Sequence, residues 1–191
     1  SLNSTVGYDF FRDCRSLADV TEYVQRLTFA SGRVDSKDNF WDQYRDGLLH
    51  AALIWLVVAH PNRRDFPTWI QHAAGWLLSE NGLPEEFRND LAEFRERSEA
   101  LPVGSADRIV TQQALRQIEE WDRGMDHRTR ANAKSTLQLA LRPLLEPAVL
   151  QIFGRAPERS FRIADAVEHG RILVLSVNAF LHPELAALIG R

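Results

Sequence analysis

Gly47-Leu48-Leu49-His50-Ala51-Ala52-Leu53-Ile54-Trp55-Leu56-Val57-Val58-Ala59 is the most apolar stretch of this chain. Wound as a helix, its second half is apolar on every side. That is the pattern of an element running through the centre of a domain. The stretch is shorter than the roughly 20 residues a membrane helix needs, and it contains His50. The expectation is a core helix in a soluble piece, with His50 satisfied inside the core. Ser36 supplies an N-cap, and Phe40, Trp41, Tyr44 and Leu48 give the first half one apolar face. Pro61 forbids continuation beyond His60.

Working outward, residues 1–15 have no clear period and read as an irregular lead-in. Ser16 then looks like an N-cap, with Asp19 favouring the positive end of a helix dipole. Val20, Tyr23, Val24 and Leu27 make one helical face, and Ser31-Gly32 ends it. Downstream, Pro67 opens a helix carrying Trp69, Ile70, Ala73, Trp76 and Leu77, which Asn81-Gly82 stops. Pro84 starts the next, with Phe87, Leu91 and Phe94 inward. Ser105 caps a helix to about Trp121 whose apolar set is Ile109, Ala114, Leu115 and Ile118. After Gly124 a helix spans roughly Arg128–Leu145, with Pro143 kinking or ending it. Pro147 opens a short one through Phe153.

The texture changes after Gly154. Phe161-Arg162-Ile163 reads as a short extended piece and Ala164–Glu168 as one or two helical turns. Ile172-Leu173-Val174-Leu175-Ser176-Val177 reads as a buried strand, and Pro183 begins a last helix. The fold expected is mainly α, an orthogonal bundle of about six or seven helices ending in a β-α junction that returns to an α/β sheet. The lone strand needs a partner for its backbone groups, in the 161–163 piece or in another chain.

No nucleotide motif accompanies that strand. The P-loop pattern GxxxxGK[ST] needs a Gly-Lys pair to cradle phosphates. The only lysines, Lys37 and Lys134, follow Ser36 and Ala133. The run Ile172–Val177 leads into Asn178 rather than the Asp of a Walker B strand. The chain reads as part of an ATPase that carries neither phosphate-handling motif.

A chain of 191 residues suits one domain or a large subdomain. The net charge of −3 lacks the basic excess of a protein that binds nucleic acid unaided. One cysteine, Cys14, excludes an internal disulfide and a cysteine-rich zinc site. The chain opens on Ser1 rather than Met and is expected to be a piece of a longer polypeptide.

Ser36-Lys37-Asp38-Asn39-Phe40-Trp41, followed by the apolar helix Leu48–Val58, resembles the S-x-D-x-F-W helix of type IV secretion coupling proteins, the TraD/TraG-type conjugative-transfer ATPases. Gly7-Tyr8-Asp9-Phe10-Phe11 sits where those proteins leave their nucleotide domain. Ser135–Val149, Ser160–Asp165 and Gly170–Leu175 resemble the return path into the sheet. The resemblance implies that residues 1–155 are the all-alpha domain inserted between Walker A and Walker B of a RecA-like motor. Residues 156–191 would then be the return segment into that motor's sheet. It also implies a homo-hexameric, membrane-tethered parent at the cytoplasmic face of the bacterial inner membrane. That parent uses ATP and Mg, and the piece itself holds no cofactor. The partners implied are relaxosome or effector proteins, with DNA bound weakly.

Three groups of residues are candidate sites. Arg116, Arg123, His127, Arg128, Arg130 and Lys134 form a basic cluster across one helix end and the start of the next. It either meets DNA phosphates, weakly and without sequence preference, or forms a solvated face cancelled by Glu119, Glu120, Asp122 and Asp126. Arg155, Arg159 and Arg171 flank the return to the sheet. They are either surface arginines or groups reaching a neighbouring subunit's nucleotide. Phe40, Trp41 and Trp55 are core positions by their helical spacing rather than a partner-binding face. No histidine pair has HExxH spacing, so no metal is expected, and no catalytic elbow is present. The function expected is non-catalytic partner recognition within a transfer ATPase. The alternatives are a helical insert of another hexameric DNA-translocating ATPase, and a free-standing helical adaptor.

Overall fold

The apolar run does become the centre of the molecule. The computed structural model describes residues 7–8, 16–22, 39–61, 65–80, 82–153 and 160–170. Helix α1 spans Asn39–Ala59, and Ala51 through Val57 are all buried in it without interruption. Burial on every side requires neighbours on every side. Helices α2 (Phe66–Leu77), α3 (Glu85–Ala100), α4 (Ala106–Glu119) and α5 (His127–Leu144) all pack against α1. Two short helices follow, α6 (Pro147–Phe153) and α7 (Ile163–Glu168). The described chain is mainly helical, as its sequence pattern requires.

Trp55 is the hub. Its ring lies 5.5 Å from Trp76 of α2 and stacks at 6.3 Å on Phe94 of α3. Phe87 of α3 meets it edge-on at 6.0 Å. Such offset and edge contacts add to the area that the rings bury. Trp55, Trp76 and Phe94 are fully buried, so the core reading holds for Trp55, and Trp41 is half-buried against the same core. At the far end of α2, Phe66 packs on Phe153 of α6 at 5.1 Å.

Helix starts follow local chemistry. Ser16 and Asp19 exchange hydrogen bonds in a capping box, Asp19 N–H to Ser16 Oγ and Ser16 N–H to Asp19 Oδ2. Residues 17–22 are helical and bury Val20. Asp65 caps α2 by accepting from Thr68 N at 2.9 Å, one residue earlier than the Pro67 signal alone indicates. Ser105 caps α4 by accepting from Arg108 N. The expected face of α4 is displaced at one position. Ile109 is exposed, and Thr111 takes the inward place with Ala114, Leu115 and Ile118. The Thr111 hydroxyl is satisfied there, 2.7 Å from Ser98 Oγ of α3 and 3.0 Å from Arg108 O. His50 is likewise satisfied, 2.8 Å from Thr21 Oγ1, and burial holds its imidazole below the usual histidine range.

Strands are minimal. β1 (Gly7–Tyr8) pairs in parallel with β2 (Ser160–Phe161), with Gly7 opposite Ser160 and Tyr8 opposite Phe161. α6 lies against β1. This two-residue ladder is the only strand pairing among the described residues, and neither the expected β-α junction nor a RecA-like sheet is shown by them. Strand 172–177 and the helix from Pro183 lie outside the described residues, as do Ser36 and Cys14.

Two glycines set how closely helices approach. A Cβ on Gly75 of α2 would stand 2.8 Å from the ring tip of Phe87, which is wedged against Trp55 and His72. A Cβ on Gly47 of α1 would meet only the amide end of the Gln117 side chain, which can swing aside. Gly75→Ala is expected to lower stability by about 1 kcal/mol, overpacking outweighing the gain in helix propensity. Gly47→Ala is expected to raise it by up to about 1 kcal/mol. Urea unfolding with an unchanged m-value reads both signs.

Candidate functional site

The corner between α4 and α5 gathers most of the chain's site chemistry. The end of α4 opens into a π-helical turn, Glu120–Gly124, and α5 starts at His127. Wide turns of this kind carry an extra residue, and they recur at functional positions. Here the turn buries Trp121 completely. Its last carbonyls need donors, because helix C-termini leave them unpaired. Arg130 supplies them from the next helix. Its Nη2 donates to Trp121 O and Asp122 O, both at 2.8 Å, and its guanidinium carbon lies 6.0 Å from the Trp121 ring centre.

Asp122 and Lys134 then tie in the α2–α3 connection. Leu83 N donates to Asp122 Oδ1 at 2.8 Å. Gly82 makes that approach with φ +80°, and a Cβ there would stand 3.0 Å from Asp122 Oδ1. Lys134 Nζ donates to Ser79 O just beyond the end of α2. Asp126 Oδ1 caps α5 by accepting from Arg128 N and Thr129 N, each at 3.0 Å. Tyr44 of α1 closes the inner side, its ring 6.4 Å from Trp121 and its hydroxyl 3.9 Å from Met125 Sδ. Burial, then the Glu120 carboxylate, pushes the Tyr44 phenol up to about 12, against the opposing effect of Arg130.

The basic cluster therefore divides. Arg130 and Lys134 point their charged ends at backbone carbonyls and hold the corner together. Arg116, Arg123 and Arg128 are exposed, Arg123 beside Asp122 at 3.6 Å. Several of the interleaved acids have internal work: Glu119 pairs with Arg95, Asp122 with Leu83 N, and Asp126 with the α5 amides. Arg155, Arg159 and Arg171 lie outside the described residues. Between the end of α2 and the start of α5 an open hollow of about 330 Å³ is lined by Glu80, His127, Arg130, Ala131 and Lys134.

A second polar cluster was not foreseen. His60, at the end of α1, lies 2.6 Å from Asp90 Oδ1 of α3, and His72 of α2 lies 3.5 Å from Asp90 Oδ2. His72 is nearly buried, edge-on to Trp55 at 4.7 Å. The signal was present in the periodicity. His72 shares the stripe of Trp69, Ala73 and Trp76, and Asp90 shares that of Phe87, Leu91 and Phe94. Opposed polar residues on two inward stripes mark a buried pair. Among the described residues no group of three or more His, Cys, Asp or Glu is placed to hold a metal ion, and no helix is long and apolar enough to cross a membrane.

No family model matches the chain, and no curated protein or solved structure matches it either.

The His60–Asp90–His72 cluster makes the fold sensitive to acid. Burial holds His72 below its ordinary 6.5, so the unfolded chain takes up that proton first. The contribution is complete above 6.5 and drains as pH falls toward and past the folded value. Burial alone would raise Asp90, but hydrogen bonds from His72 and His60 outweigh it and hold the carboxyl below its ordinary 3.8. That second contribution is complete above 3.8 and is lost below it. The melting temperature should fall as pH drops from neutral to about 5. His72→Phe should flatten that first fall, as read by circular dichroism melts across the range.

Proposed function

We propose that this chain is the cargo-receiving helical domain of a conjugative DNA-transfer ATPase of the type IV secretion coupling class. The observation that supports it best is the parallel pairing of β1 with β2. Antiparallel strands can be joined by a tight turn, whereas parallel strands need a crossover. Here everything between Tyr8 and Ser160 is that crossover, and its described part is helical. Parallel strands belong to α/β sheets covered on both faces, and a two-residue ladder does not stand alone. A helical block slung between two adjacent parallel strand stubs is the arrangement expected of an insert in a motor's sheet. The S-x-D-x-F-W resemblance supplies the kind of motor.

On this reading the chain neither binds nor hydrolyses ATP, because the Gly-Lys pair of a P-loop is absent. ATP and Mg are handled by the parent, a membrane-tethered homo-hexamer at the cytoplasmic face of the inner membrane. The helical block selects relaxosome or effector proteins. DNA, where it is touched, meets the outward arginines Arg116, Arg123 and Arg128. Arg130 and Lys134 each give part of their donor set to backbone carbonyls and lie back from that outward face.

The open reading frame around the chain tests the insertion: a Walker A should precede residue 1 and an acidic Walker B strand should follow residue 191. A frame without them would remove the proposal. DNA contact is tested by fluorescence anisotropy with single-stranded DNA over a range of salt. Replacing Arg116, Arg123 and Arg128 together with Ala should lower affinity for all sequences and reduce the salt slope by about 2. Unchanged binding would exclude those arginines.

A further inference from the structure

We propose that the hollow between the end of α2 and the start of α5 binds a phosphate group, held by Lys134, Arg130 and His127. The inference rests on the cargo-receiving reading only for where the phosphate comes from.

Two cationic side chains converge on this hollow, and among the described residues Glu80 is the one carboxylate that lines it. Burial first and Arg130 second make Lys134 give up its proton more readily than an ordinary lysine, and Glu80 offsets only part of this. The two cations are therefore close enough to repel each other. Both are held in place from behind. Lys134 spends one of its three N–H bonds on Ser79 O, and Arg130 spends Nη2 on Trp121 O and Asp122 O. Arg130 Nε is buried without a hydrogen-bond partner. Donors fixed by backbone anchors lose little freedom when an anion arrives. A tetrahedral oxyanion offers separate acceptors to an ammonium, a guanidinium and an imidazole. It would also offset the repulsion between the two cations. A volume of about 330 Å³ has room for a phosphate together with the ester it belongs to.

The test uses the whole chain and inorganic phosphate. Lys37 and Lys134 are the only lysines, so selective 13C-lysine labelling gives one side-chain signal for each. Phosphate at matched ionic strength should move the Lys134 signal saturably and leave Lys37 in place, whereas chloride should not. Glu80→Gln removes the opposing carboxylate and should tighten phosphate binding roughly two- to fivefold. Lys134→Gln should abolish binding, followed through the His127 ring proton. If Lys134→Gln does not fold, His127→Gln, an exposed change, should weaken binding instead. A Lys134 signal indifferent to phosphate, or a Glu80→Gln protein that binds no more tightly, would overturn the proposal. A purely structural Lys134 predicts that second result.

Short oligothymidylates with and without a 5′-phosphate identify the source. A Lys134 shift with both assigns the subsite to backbone phosphodiesters. A shift only with the phosphorylated strand assigns it to a terminal phosphomonoester. Either outcome is independent of whether the outward arginines bind DNA.

Discussion

A helix that is apolar on all sides cannot lie on a surface, and this constraint organises the molecule. Once Ala51 through Val57 are wound into α1, every direction around the axis must be filled. Helices α2, α3, α4 and α5 fill it, each presenting one stripe. Trp55 is the point where the stripes of α2 and α3 meet, and its contacts with Trp76, Phe94, Phe87 and His72 fix how those helices lie. The same enclosure constrains polar groups. A polar residue on an inward stripe loses water and is stabilised by a partner on a neighbouring helix. Ser98 with Thr111 and Asp90 with the two histidines are such pairings. They join α3 to α4, and α3 to α1 and α2. They also favour one register of the stripes over others that would bury the same apolar area.

Elements governed by local chemistry were legible in the sequence. Pro67, Ser105 and Pro147 mark helix starts because ring geometry or a side-chain oxygen acts within one turn. Features that depend on a partner helix were not. Ile109 outranks Thr111 in hydrophobicity, so the apolar face of α4 reads as including it. What places Thr111 inward is Ser98, in another helix and far away in sequence. The site behaved in the same way. The positive charges between Arg116 and Lys134 were readable, but where each long side chain points was not. A guanidinium follows the unpaired carbonyls it can reach, and those are created by the π-helical turn at Glu120–Gly124, which no local pattern announces.

That division changes what a basic cluster means here. Counted as charges, the five cations are equivalent. Counted by what they touch, Arg130 and Lys134 close the ends of the π turn and α2, so their loss would loosen the corner as well as remove charge from the hollow. The distinction also explains how a chain with net charge −3 can keep a cationic hollow. Glu119 is offset by Arg95, and Asp122 and Asp126 keep their charges while capping backbone amides away from the hollow's lining, so the field in the hollow depends on where each charge sits rather than on the chain's total.

The ladder and the corner are joined by continuous packing. β1 lies against α6, Phe153 of α6 against Phe66 of α2, and Trp76 of α2 against Trp55. α5, which carries Arg130 and Lys134, packs against both α1 and α2. Aromatic contacts at interior density deform little, because a shift of even a fraction of an ångström forfeits much of their attraction. A displacement imposed on the two strand stubs would therefore move the helical block as one body, carrying the corner with it. In the proposed motor, such a block would act as a rigid arm. Its usefulness would lie in being stiff between the stubs and the corner, and the burial that makes α1 the centre of the fold supplies that stiffness.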